Sequence, residues 1–268
     1  AVTAHSTSAQ IQHGSVGIIY FSENKDKIIF AADSRGMLPD GTHNDDYCKI
    51  AAPHGKFVFL TTGLGTYSGD ELVGPWSNVD EIRRAYDRAS MEAHTTNDDV
   101  LLETIKEWSH SVSNHLRSLY RVHPEMIVKS AQQQHGVLAK AFVGGVGNNG
   151  KMFILRTDVV FNPNLASPIN AIGGLIEPCP KNYCAAGEIT VEEEFINLTS
   201  DRAKQEAREW SPPKNSRRAD RDIQQAIRYV QLTIQYGPVD VGGDIDALQM
   251  IPDGSIRWFA AKKNCQKD

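Results

Sequence analysis

No uninterrupted apolar stretch in this 268-residue chain approaches the roughly 18 residues that carry a helix across a bilayer, which excludes a helical membrane span. A concentrated basic face is missing as well. The densest basic cluster, "NSRRADR" at 215–221, contains an aspartate and runs into a helical pattern, so it reads as a solvated helix entry. With a formal net charge of -5 there is no electrostatic basis for a nucleic-acid partner. Cysteine is sparse: Cys48, Cys179, Cys184 and Cys265. The spacing of "CPKNYC" is wrong for a zinc knuckle and has no second Cys/His pair nearby. It suits a small disulfide loop instead. His110 and His115 lie five apart on a helical pattern, off a common face, and read as surface or boundary histidines rather than metal ligands. No internal repeat and no metal or cofactor motif is present. The chain opens on Ala1, an expectation of processing or trimming. "NLT" at 197–199 makes Asn197 an N-glycan acceptor if the chain is secreted. The compartment stays open between a secreted or vacuolar one and the cytoplasm.

What is present is a full core: 40% hydrophobic and 23% charged residues, the balance of a folded domain. Residues 1–13 are small and polar and read as an arm, and 14–268 as a single domain with an insert around 162–216. "VGIIYF", the turn "SENKDK" and "IIFAAD" form a hairpin pattern, and "CKIAAPHGKFVFLTTG" supplies two more strands hinged at "PHG". These runs are too continuous for a solvated face, so layers should cover both sides. Helices follow. One has Asn78 as its N-cap candidate, and one has Asn97 as its cap with Leu101, Ile105, Trp108, Val112 and Leu119 on a stripe. Strands return in "GVLAKAFVGGVG" and "GKMFILRTDVVF". After a Pro/Gly-rich stretch come a helix-and-loop segment stopped by Pro212 and Pro213, a helix over "DRDIQQAIRYVQLTIQY", and a final hairpin turning at "PDG". Strands, helices, strands, helices, strands imply an α+β fold.

Four pieces resemble, in order along the chain, the proteasome β-type family of N-terminal nucleophile (Ntn) hydrolases: "SVGIIYF…IIFAADSRG", "KIAAPHGKFVFLTTG", "GVLAKAFVGGVGNNGKMFILRTDVV" and "YGPVDVGGDIDALQMIPDGSIRWF". The separations Asp33 to Lys49 (sixteen) and Lys49 to Gly63 (fourteen) are similar to the family's. The resemblance implies a four-layer αββα sandwich of two antiparallel sheets between helix layers, the Ntn-hydrolase fold. It implies Lys49 as the lysine that lowers proton affinity at the nucleophile, Asp33 as its holder and Gly63 as the oxyanion donor. It also implies self-assembly, since relatives stack into rings. The family's threonine falls on His13, which has no hydroxyl, and its late Asp and Ser fall near Pro238 and Val241. A further supporting serine falls around Glu188. On this reading the chain is a divergent, catalytically silent member with a structural, storage or binding role. The alternative is an amidohydrolase or peptidase in which cleavage at Gly14–Ser15 frees Ser15, whose hydroxyl and α-amine act together. Otherwise Ser15 is an ordinary strand-start residue, and Asp33–Lys49 a structural pair. A third reading takes Cys48 as nucleophile, against which stands the alternation of side chains along a strand.

Overall fold

The computed structural model describes residues 15–22, 25–37, 43–53, 57–67, 69, 72–91, 96–176, 184–187, 189–212, 220–262 and 265. The strand-rich first quarter divides between two sheets. β1 (Val16–Phe21) and β2 (Ile28–Asp33) pair antiparallel, Gly17 opposite Ala32 through Phe21 opposite Ile28. All six residues of β2 are buried, as its unbroken apolar run requires. β3 (Gly36–Met37) and β4 (His43–Asn44) make a small ladder beyond. β5 (Ile50–Ala51) and β6 (Val58–Gly63) are the two strands about "PHG", and they belong to the second sheet. β7 (Thr66–Tyr67) and β8 (Trp76–Ser77) form another short ladder before the helices.

α1 (Asn78–Met91), α2 (Asn97–Val122) and α3 (Pro124–Gln133) follow. The cap of α2 is Thr96 rather than Asn97: its side chain accepts the Asp99 N–H, three residues on, as an N-cap must. Asn78 is the first residue of α1, and its Nδ2 donates to Thr61 Oγ1 at 2.9 Å and to the Leu64 carbonyl. α3 begins at Pro124, whose missing N–H suits a first helical turn. β9 (Val137–Val146), β10 (Met152–Phe161), β11 (Ile169–Ile176) and β12 (Cys184–Gly187) lead into α4 (Ile189–Asn197) and α5 (Asp201–Glu209). α6 (Arg221–Tyr236) and the hairpin β13 (Ile245–Met250) and β14 (Ile256–Ala260) complete the chain's elements.

The sheets run β12-β1-β2-β13-β14 and β11-β10-β9-β6-β5, antiparallel at every pairing. Phe30, Leu60, Phe142, Ile154 and Leu248 fill the space between them. α6 packs Ile223, Ala226 and Val230 onto the outer face of the first sheet, and α1, α2 and α3 cover the second around Trp108. The architecture is the αββα sandwich, with each sheet buried on both faces. His115 stacks on Trp76 and faces Glu81, a boundary position; no group of three metal-ligating side chains occurs among the described residues. No helix among them is long and apolar enough to cross a membrane.

Cys48, directly before Lys49, is disulfide-bonded to Cys265 near the end of the chain. Cys184 is also disulfide-bonded, while Cys179 lies outside the described residues. The Cys48–Cys265 link spans a sequence separation of 217, so it restricts the unfolded chain strongly. Replacing both residues by serine is expected to lower the unfolding free energy by about 3–5 kcal/mol, read by denaturant titration against the unreduced parent.

Candidate functional site

β2 carries its apolar run to Asp33, which is fully buried. An ionised carboxyl there must have partners on both oxygens. Oδ1 accepts from Lys49 Nζ at 2.6 Å and from the Val16 N–H at 2.8 Å. Oδ2 accepts from the Gly242 N–H at 3.0 Å. The Gly242 carbonyl in turn accepts the N–H groups of Ser34 and Arg35 at 3.2 and 2.9 Å. Arg35 is fixed by both Asp45 oxygens and donates to the Val239 carbonyl. One carboxylate therefore ties the head of β1, the entry to β5 and the turn before β13.

Lys49 is 4% exposed. Burial pushes its ammonium below the ordinary lysine value, opposed first by Asp33 and then by Asp240 and Asp246. Two further acids are sequestered close by. Asp246 is fully buried, and burial raises its pKa to about 6 although one oxygen accepts the Lys262 N–H. Glu192 on α4 is fully buried, and among the described residues neither of its carboxyl oxygens has a hydrogen-bond partner. Burial, reinforced by Glu193 and Asp33, holds it protonated well above the usual carboxylate range.

The residue directly before Val16 is Ser15, half-buried at the head of β1. Opposite it, Val16 pairs with Gly187, the last residue of β12. Gly187 has φ +86°, and a Cβ there would lie 1.8 Å from the Ser15 carbonyl oxygen, so only glycine lets β12 close onto Ser15. Gly63 ends β6 with φ +86°, and a Cβ on it would meet the Leu138 carbonyl at 2.5 Å. Gly63 and Gly187 both line an open cleft of about 1060 Å³, with Thr62, Lys140, Thr190 and Glu193 among its walls.

Of the residues singled out from the sequence, Asp33 and Lys49 are in contact, Ser15 is one residue from a donor to the same carboxylate, and Gly63 lies on the cleft that Gly187 joins. His13, Gly14 and Glu188 lie outside the described residues. Cys48 is engaged with Cys265, which removes its thiol as a nucleophile while that bond stands. Pro238 and Val241 belong to one turn, the Val241 N–H donating to the Pro238 carbonyl at 3.0 Å. Sequence reasoning missed Gly242, which reaches Asp33 through its backbone, and Glu192. The only signal for Glu192 was its spacing of three from Phe195, which places both on the buried face of α4.

No family model matches the chain, and no curated protein matches it. Among solved structures, the Anbu (Gly-1) mutant from Hyphomicrobium sp. strain MC1 is similar at 13% identity, covering 93% of this chain and 88% of that one with a TM-score of 0.48. Anbu (ancestral beta-subunit) from Yersinia bercovieri is similar at 13% identity, covering 93% and 89%, with a TM-score of 0.49. Membership of the proteasome β-type family, as a divergent member lacking its threonine, is therefore corrected: four short pieces in order find no support in any family model. The physical reason is that those pieces specify geometry. A tight hairpin, a strand end that buries a Lys–Asp pair and a glycine turn are what such a sandwich needs, whatever its ancestry.

Two outcomes follow from the buried charges. Lys49→Ala leaves the Asp33 carboxylate buried with backbone donors only, and should lower stability by about 3–5 kcal/mol, near 10 °C in melting temperature. Asp246 has a folded pKa raised above its ordinary 3.8, so the stability it contributes is present below pH 4 and lost as pH rises through about 6. Asp246→Asn should therefore be more stable than the parent at pH 7.5, by about 2–3 kcal/mol, with the difference vanishing near pH 3.5; melting curves of both proteins across that range check it.

Proposed function

We propose that the protein is an amide hydrolase whose nucleophile is Ser15, freed as a new N-terminus by cleavage of Gly14–Ser15. The observation that carries this reading is the sharing of Asp33 Oδ1 between Lys49 Nζ and the Val16 N–H. Two donors on one oxygen bring the ammonium within a residue's reach of Ser15. A neighbouring cation favours the ionised form of a hydroxyl and so lowers the barrier to its attack on a carbonyl. The cleft lined by Gly63 and by Gly187, which closes onto Ser15, is the proposed route of an amide to that hydroxyl.

In the proposed cycle, hydrolysis of Gly14–Ser15 gives a carboxylate on Gly14 and an α-amine on Ser15. An α-amine titrates near pH 8 and can accept the hydroxyl proton as Oγ adds to the substrate carbonyl. The Gly63 loop is the proposed oxyanion donor. Collapse of the tetrahedral adduct breaks the C–N bond and returns the proton to the leaving amine. Water then hydrolyses the Ser15 ester, giving the acid and free Ser15. Lys49 stays charged throughout, anchored by Asp33. Three disulfide-bonded cysteines support an oxidising compartment as the place of action.

One observation favours a second reading, a catalytically silent fold with a structural, storage or binding role. Asp33 is already satisfied by Val16, Gly242 and Lys49, so the pair has a sufficient reason to exist without chemistry. Intact mass with N-terminal sequencing separates the two. The hydrolase reading expects chains beginning at Ser15, none in Ser15→Ala, and cleavage retained in Ser15→Thr. Gly14 remaining joined to Ser15 in every preparation overturns it in favour of the silent fold.

A further inference from the structure

The cleft contains a cation that nothing described so far uses. Lys140 lies in the middle of β9, where the register sets it opposite Thr62 on β6 and Asp158 on β10. In antiparallel ladders, directly opposed residues point to the same face, so Lys140 shares its face with both. That face is the one turned towards the other sheet, since Phe142, two residues on, belongs to the core between the sheets. Lys140 is half-buried and lines the cleft. Among the described residues its ammonium has neither a hydrogen bond nor an ion pair, while its carbonyl accepts the Thr61 hydroxyl. The acid opposite it, Asp158, is already held by Arg156, whose Nε donates to Asp158 Oδ1 at 3.0 Å while a second guanidinium nitrogen binds Oδ2. A half-buried ammonium without a partner is a group awaiting an anion.

The other charges on the cleft do not supply one. Glu194 is taken by Arg202 and the Ser200 hydroxyl. Glu193 is exposed to solvent on α4, where water screens it. His135 is exposed at the cleft's edge and brings no negative charge. Burial lowers the Lys140 pKa, Asp158 opposing and Arg156 adding to the shift, so a ligand carboxylate that paired with the ammonium would stabilise its charged form.

We infer that the cleft is a binding site for a carboxylate-bearing side chain, with Lys140 as its recognising cation. Thr62 precedes Gly63, so the carboxylate would sit next to the glycine turn. As a substrate feature this rests on the Ser15 reading: the amide cleaved would then be one whose acyl side carries an acidic side chain. As a binding site it does not, and the test uses binding alone.

Full-length protein is titrated with N-acetyl-glutamate methylamide and with N-acetyl-glutamine methylamide, which differ only in the carboxylate. The expected result is a preference of about tenfold or more for the glutamate compound, the effect of one charge-assisted hydrogen bond. Lys140→Met abolishes the preference and Lys140→Arg keeps it, each variant being checked for an unchanged melting temperature. Equal affinities, no binding of either compound, or a preference that survives in Lys140→Met overturns the inference. A protein that never cuts at Ser15 yet prefers the glutamate compound contradicts the hydrolase reading alone. A cut, active enzyme with no preference contradicts this one alone.

Discussion

A carboxylate buried at the end of a strand has to be satisfied on both oxygens, and the way Asp33 meets that demand organises the molecule around it. Lys49 comes from the second sheet, Val16 from the neighbouring strand and Gly242 from a turn a sequence separation of 209 away. None of the three can move without leaving a charge or a lone pair unmatched in the interior. The sandwich core supplies most of the burial. It is Asp33, however, that sets the heads of β1, β5 and β13 against one another, at the place where Ser15 enters.

Around that anchor the polar interior is arranged by difference. Asp33 has donors on both oxygens, while Asp246 and Glu192 have too few and are driven towards the neutral form. A protonated Glu192 removes one negative charge from the neighbourhood of the single buried lysine. Lys140 stands apart from this balance. Its natural partner is committed to Arg156, which leaves positive charge facing the cleft rather than the core. Chemistry proposed at Ser15 and recognition proposed at Lys140 thus draw on separate charges, one fully enclosed and one open to ligand.

Much of this was legible in the amino-acid sequence, because the signals involved are local. "VGIIYF" and "IIFAAD" are β-rich runs flanking a turn, and they are β1 and β2 to the residue. The sixteen-residue step from Asp33 to Lys49 brought the pair together through one hairpin and one loop. What escaped is non-local or carried by backbone. Gly242 contributes an N–H that no side-chain pattern announces, and the Cys48–Cys265 bond is one of several pairings that four cysteines allow. Glu192 hides in an acidic run, "EEE", where only its packing separates it from exposed Glu193. The cap of α2 fell on Thr96 because two adjacent residues can both cap, and only backbone geometry chooses between them. The family resemblance read from four motifs identified the architecture while overstating the kinship, since motifs that encode a strand end or a glycine turn recur wherever the geometry recurs.

The central claim is that Asp33, through Lys49 and Val16, prepares the hydroxyl of Ser15 for attack. Reaction of the protein whose chain begins at Ser15 with a hydroxyl-directed electrophile such as a β-lactone, followed by peptide mapping, tests it most directly. The account predicts one adduct, on Ser15, and none in Ser15→Ala. An unmodified Ser15 in folded protein exposed to excess reagent, or an adduct on another side chain, would contradict it.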